Sequence, residues 1–299
     1  MDNRVLYGKP GNNLEYRHSS NSLFHFMGKQ KYLENILREK AINPRYCKED
    51  IKYLNLSLGD KPFKEISVLQ KCFCDIPLHR ITDSLKCSVN IQKGEEFPNI
   101  ERYYSHTDLY GEYGIALTKS WGERSGIQPV QYINEESDFC EELSQAINEA
   151  ISTTVEIDEK IADNYLNMIA FFKPLRGEIS RFNNKGEKEI VTKNFHDEHE
   201  WRFVPKYDKN SYDTLIANPT LLSGGINSAI NKMSDELEKE ENQHYWLQLQ
   251  YNDIRYIIVP NNQARLDCIN YVMSLKEENT DKYLLISKIL VLEEIRRDW

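Results

Sequence analysis

The sequence predicts an α+β protein, because runs of period-two apolar residues intermix with stretches of helical periodicity. No internal repeat and no low-complexity tract divides the chain, which sets aside solenoids and arrays. Ser22 to Met27 alternates polar and apolar residues and stops near Gly28, as a strand does; Gln30 to Lys40 then places Leu33, Ile36 and Leu37 on one helical face. Ile66 to Ile76 reads as a buried strand, and Pro77 opens a helix, as a first-turn proline can. Tyr113 to Thr118 and Pro129 to Ile133 are two further strands. Between about Glu135 and Phe172 the periodicity turns helical, with Ile147, Ile151, Ile161, Tyr165, Met168, Ile169 and Phe172 in two helices split around Thr153 to Asp158. Lys185-Gly186 is turn chemistry between Gly177 to Phe182 and Glu187 to Thr192, which predicts a hairpin, and Glu200 to Val204 continues as a strand. A polar helix at Ile226 to Glu240, a strand at Ile254 to Val259, a helix from Asn261 to about Met273 and a strand at Leu284 to Val291 complete the chain. The expected organisation is an N-terminal arm (1–21), a core (22–210) with a helical insertion at about 135–172, and a C-terminal α/β subdomain (211–299) packed on the core.

Composition narrows the function classes. A chain of 299 residues that is 40% hydrophobic can bury a large core. None of its apolar segments approaches the roughly 18 residues of a membrane span, so no membrane partner is expected. Met1 to Ser20 lacks the order of a signal peptide, and six scattered cysteines suit reduced thiols, so a cytoplasmic location is expected. The 47 acidic and 38 basic residues give a net charge of −9, which repels phosphate backbones at long range. A nucleic-acid partner is not excluded, but it would require a local basic patch, and glutamates interrupt the lysines of Lys185 to Lys193.

Three constellations are candidates for chemistry. In Leu23-Phe24-His25-Phe26 the imidazole projects from one side of a strand whose other side carries two phenylalanines, a position suited to a cleft or to a satisfied structural histidine. In Glu198-His199-Glu200-Trp201-Arg202-Phe203, a period of two puts Glu198, Glu200 and Arg202 on one face and His199, Trp201 and Phe203 on the other. Burying the aromatics forces both carboxylates into one environment, where their repulsion raises a proton affinity unless a cation compensates; a solvent-facing, salt-bridged strand is the alternative. In Tyr110-Gly111-Glu112-Tyr113-Gly114, glycines beside Tyr113 permit close approach of a planar ring, or form a strand-entry turn. No metal site is expected, since Cys72, Cys74 and His79 lack a second ligand pair at zinc-site spacing. Neither a phosphate-binding Gly-x-x-x-x-Gly-Lys loop nor a dinucleotide Gly-x-Gly-x-x-Gly turn occurs.

These segments, with Cys72-Phe73-Cys74-Asp75-Ile76-Pro77, Phe172-Lys173-Pro174 and the tail Ile254 to Pro260, resemble the AbiGi family of abortive-infection phage-defence proteins over about Ser22 to Arg297. Its members are labelled antitoxins of defence operons. The resemblance implies a protein partner from the same operon or a phage-derived trigger. A more distant similarity, a strand histidine before a helix, a central tyrosine and a late Glu-x-Glu strand, is to ADP-ribosyltransferases, which act on NAD. It implies a mixed central sheet of that type with flanking helices. By this similarity Glu200 is the catalytic carboxylate that grips the nicotinamide ribose and Glu198 orients the acceptor; His25 binds the adenosine ribose, Tyr113 stacks on nicotinamide, and Arg202 binds the diphosphate or neutralises Glu198. The Ser-Thr-Ser strand of one transferase class is absent, Thr118 and Ser120 being poor substitutes. Two functions are therefore expected as alternatives: an NAD-dependent effector, or a non-catalytic antitoxin or sensor that binds a protein partner.

Overall fold

The computed structural model describes residues 19–58, 61–91, 99–151, 164–165, 167–183, 185–206, 213, 215–218 and 226–298. It is an α+β fold on a mixed central sheet. The strands that matter here are β1 (Ser22–Met27), β2 (Arg45–Asp50), β3 (Glu65–Cys74), β4 (Leu85–Ile91), β5 (Asn99–Tyr104), β6 (Tyr113–Thr118), β7 (Gln128–Pro129), β8 (Gln131–Ile133), β9 (Phe172–Pro174), β10 (Arg176–Phe182), β11 (Lys188–Asn194), β12 (Glu200–Phe203), β13 (Leu215–Asn218), β14 (Ile254–Val259) and β15 (Ile289–Val291). The helices are α1 (Gln30–Glu39), α2 (His106–Tyr110), α3 (Lys119–Arg124), α4 (Asp138–Ile151), α5 (Ile226–Leu237), α6 (Asn262–Ser274), α7 (Asn279–Ile286) and α8 (Leu292–Asp298).

The central sheet runs β7-β12-β3-β1-β6-β14-β15, with β2 and β13 also paired to β3. All pairs are antiparallel except β14 with β15. The strands after residue 211 thus hydrogen-bond directly into this sheet, β13 through β3 and β14 through β6. Alternation decides which side each residue serves. Leu23, Met27, Ile115, Leu117, Ile257 and Val259 form one large core with Leu33 and Leu37 of α1 and Cys268 and Val272 of α6, whereas Phe24, Phe26, Ala116 and Ile258 pack with Ile81 and Leu292 in a second cluster. On α1 the spacing of Leu33, Ile36 and Leu37 supplies the apolar stripe, each buried side chain contributing roughly 1.5–3 kcal/mol. A separate four-stranded sheet, β10-β11-β4-β5, turns Cys87, Val89, Ile91 and Val191 inward.

Two features position the site. β1 pairs with β6 along all six of its residues but meets β3 through the single pair Phe24 and Cys74, so the sheet parts between β1 and β3. The segment 128–133 is the second feature. Pro129 pairs with Trp201, the Val130 amide donates to the Glu200 carbonyl at 3.0 Å, and Tyr132 pairs in parallel register with Lys173. This segment splints β9 to β12 and brings Lys173 to Glu200.

Several expectations need correction. Pro77 is followed by one 3-10 turn, Leu78–Arg80, since nothing after it sustains a helical apolar stripe. Leu284 to Val291 is a helix end and a short strand: α7 buries Leu285, and the strand starts only at Ile289 after the Ser287-Lys288 break. Residues 1–18, Thr153 to Asp158 and Ile161 lie outside the described residues, so the arm and the split of the helical insertion are described only at Ser19–Asn21, α4 and the turn ending in the buried Ile169. Among the described residues no helix is long and apolar enough to cross a membrane.

Gly111 has φ near +114°, and an added β-carbon would overlap the Met27 carbonyl. We expect Gly111→Ala to cost about 3 kcal/mol of stability. A fall of the urea midpoint measures it, and an unchanged midpoint would show that β1 and the α2–β6 turn are not packed this closely.

Candidate functional site

The parting of β1 from β3 makes a slot through the sheet. His25 spans it, with Nδ1 3.0 Å from the Cys72 carbonyl oxygen. Because a carbonyl only accepts, Nδ1 carries the hydrogen and Nε2 of the neutral ring is an acceptor. Burial, with the nearby Lys71 charge, lowers the imidazole to about 3, so the ring is neutral at physiological pH. On one side of the slot lies a cavity of about 230 Å3 whose walls include His25, Gln70, Cys72, Tyr110, Glu198 and Glu200. On the other side a cleft of about 660 Å3 runs between α1 and α5, again walled by His25 and Phe26.

The floor of the smaller cavity is a charge-balanced network. Glu200 Oε2 takes Lys173 Nζ at 2.5 Å and Oε1 takes Arg202 Nε at 2.9 Å. Glu198 Oε1 takes Lys193 Nζ at 2.7 Å and the Tyr110 hydroxyl, and its Oε2 takes Lys173 at 3.3 Å. Arg202 is fully buried; it also donates to the Ala170 carbonyl at 2.5 Å and to Glu49 at 3.0 Å. Three carboxylates, Glu49, Glu198 and Glu200, thus face three cations, Lys173, Lys193 and Arg202. Burial alone would raise Glu200, but Lys173 and Arg202 outweigh it and hold the carboxyl at about 2. Glu198 behaves likewise: burial opposes ionisation, and Lys173, Lys193 and His106 together bring it below the usual carboxylate range. Lys173 is driven the other way, its burial outweighed by Glu200 and Glu198, so it stays charged.

The structure therefore brings His25, Glu198 and Glu200 to one cavity. Arg202 lies behind Glu200 and off the cavity wall, fully buried, where it has no surface to offer a diphosphate and neutralises Glu200 more than Glu198. Tyr113 pairs with Met27, packs against the α1-side core and does not line this cavity; Tyr110, three residues earlier, does. The expected alternation also holds only from Glu200 onward. His199 is left-handed, with φ near +45°, and Glu198 closes a 3-10 turn, so the two carboxylates converge through that turn and not through strand period. The strand is buried, unlike a solvent-facing salt-bridged one. Lys173, Lys193 and Glu49 escaped sequence reasoning. A lysine held between Phe172 and Pro174 was the available signal for the first; the other two sit in strands that look charged and exposed. Among the described residues no group of His, Cys, Asp and Glu is arranged to hold a metal.

Comparison with known proteins adds a family. A family model described as "Putative abortive phage resistance protein AbiGi, antitoxin" matches residues 98–260, a span that contains Tyr110, Lys173, Glu198, Glu200 and Arg202. An abortive phage resistance protein AbiGi of Lactococcus lactis subsp. cremoris is 34% identical over 269 residues, covering 87% of this chain and 100% of that relative. The chain belongs to the AbiGi family. No solved structure matches it, and no comparison supports a likeness of this AbiGi chain to ADP-ribosyltransferases.

Removing Lys173 leaves Glu198 and Glu200 short of one buried cation. Lys173→Met is expected to cost about 3–5 kcal/mol at pH 7. Because the folded Glu200 carboxyl lies below its ordinary 4.5, its stabilising contribution is present above pH 4.5 and is lost as pH falls toward 2. The gap between wild type and Lys173→Met should accordingly narrow as pH is lowered from about 4.5 toward 2, read from denaturant midpoints; a gap independent of pH would mean that the network is not ionised.

Proposed function

We propose that this AbiGi chain is the antitoxin-type component of an abortive phage resistance system, restraining a protein partner from the same defence operon without catalysing a reaction. The carrying observation is the charge balance of the network. A carboxylate that stabilises a developing oxocarbenium ion has to present negative charge to substrate. Both oxygens of Glu200 are instead occupied by Lys173 and Arg202, and Glu198 is held by Lys173, Lys193 and Tyr110. The family description, which names an antitoxin, supports the same reading. A partner surface is available on α5 and the turn after it, where Asp235, Glu236, Glu238 and Glu240 are exposed, and with the net charge of −9 this favours a basic partner. Expressed alone in a bacterial host, the chain should be harmless; co-expressed with a growth-arresting partner of its operon, it should restore growth. Arrest by this chain alone overturns the proposal.

A second reading is favoured by one observation, the shared cavity of His25, Glu198 and Glu200. Under it the chain is an NAD-dependent ADP-ribosyltransferase-like effector triggered on infection. Glu200 would grip the nicotinamide ribose and Glu198 orient the acceptor, with His25 at the adenosine ribose. The stacking role assigned to Tyr113 would fall to Tyr110, and Arg202 would serve by neutralising Glu200. With labelled NAD and host or phage extract, this reading requires label transfer by wild type and its loss in Glu200→Gln; equal label from both removes Glu200 from catalysis.

A further inference from the structure

The larger cleft contains polar groups that neither functional reading uses. Lys71 lies at its wall on β3, and its ammonium makes no ion pair or hydrogen bond among the described residues, although the side chain is mostly buried. The other charges of the lining are engaged. Arg45 holds Asp235 at 3.0 Å and also Glu238, and Arg38 holds Glu39 at 2.9 Å. Burial pulls the Lys71 ammonium below the ordinary lysine range, so an anion placed against it would restore lost charge stabilisation. Acceptors are unmatched too. Asn43 Oδ1 in this cleft is buried without a donor. His25, which also lines this cleft, offers Nε2 as a second acceptor once Nδ1 is committed to Cys72. Buried acceptors left unpaired cost about 1–3 kcal/mol each, so a ligand bringing hydroxyl or amino donors is favoured. The half-exposed Tyr32 at the cleft and Phe26, which walls both spaces, supply aromatic faces for a planar ring.

We propose that the larger cleft binds a nucleoside monophosphate, its phosphate on Lys71 and its sugar and base donors on Asn43 and His25. One ligand then satisfies a lone cation, two acceptors and an aromatic wall. A cleft of about 660 Å3 falls within the usual range of small-ligand sites. The proposal stands on Lys71 and Asn43, and so survives if partner restraint or NAD cleavage fails.

The test is calorimetric titration of the full chain with AMP, GMP, CMP and UMP, with adenosine, ribose 5-phosphate and inorganic phosphate as separate arms. At least one nucleotide should bind, and the fragments should bind at least about tenfold more weakly. Lys71→Met should weaken nucleotide binding by about 10–100-fold, whereas Lys71→Arg, which keeps the charge, should retain most of it. Should Lys71→Met fail to fold, Asn43→Leu, at a half-buried position, is expected to weaken the nucleotide about tenfold and inorganic phosphate not at all. Binding of no nucleotide at millimolar concentration overturns the proposal, as does equal affinity in wild type and Lys71→Met, or ribose 5-phosphate binding as tightly as the nucleotides.

Discussion

The ammonium of Lys173, lodged between Glu198 and Glu200, is the interaction on which this structure turns. Two carboxylates in one dry environment repel, and without a cation one of them would take up a proton. Lys173 and Arg202 remove that conflict for Glu200, and Lys173 and Lys193 remove it for Glu198. The consequence is architectural. Lys173 is on β9, whose backbone is tied to β12 through the splint at 128–133, and Lys193 is on the last stretch of β11 in the second sheet. The network therefore joins the central sheet, the small parallel pair and the second sheet through charge, where an apolar contact would hold them less specifically. Such pairs contribute little net stability relative to apolar packing, yet breaking one is costly, which ties the relative placement of three elements to a few atoms.

The same network limits the chemistry of the cavity above it. A carboxylate at about 2 is a poor proton carrier near neutrality, and one whose two oxygens each hold a cation has little field left for a substrate. His25 is silent in another way: neutral throughout the physiological range, it offers a lone pair and no charge. What the cavity presents is a set of acceptors, chemistry suited to recognition more than to bond cleavage.

Much of the fold was legible. β1, α1, β6, the β10–β11 hairpin, β12, α5, β14 and α6 follow from period-two and helical apolar patterns and from one Lys-Gly turn. β4 was readable in principle, since Cys87, Val89 and Ile91 alternate inward, whereas β2, Arg-Tyr-Cys-Lys-Glu-Asp, is a strand by its partnership with β3 and carries no pattern of its own. The site was half legible. Sequence spacing relates neighbours on one strand, so it links Glu200 with Arg202, whereas Glu198 joins them through a 3-10 turn that strand period does not describe; it is blind to Lys173 and Lys193, which lie 27 and 5 residues from the carboxylates they meet. Tyr113 lies off the cavity that Tyr110 lines, for a local reason. Gly111, in a conformation open to glycine, turns the chain between them, so the two tyrosines leave on different sides of the structure.

Family membership and slot geometry then constrain each other. If the chain restrains a partner, the restraint has to be released during infection, and a release that depends on a small molecule needs a site coupled to the partner surface. The cleft wall supplies that coupling: Asp235 and Glu238 of α5 and the residue after it bind Arg45 of β2, and β2 pairs with the same strand that carries Gln70 and Lys71. A ligand drawn to Lys71 would press its phosphate toward that arginine and compete with the α5 carboxylates for it. The coupling then has a physical carrier, one guanidinium shared between an internal ligand and an exposed acidic helix, and its strength is bounded by the difference in what Arg45 gains from each.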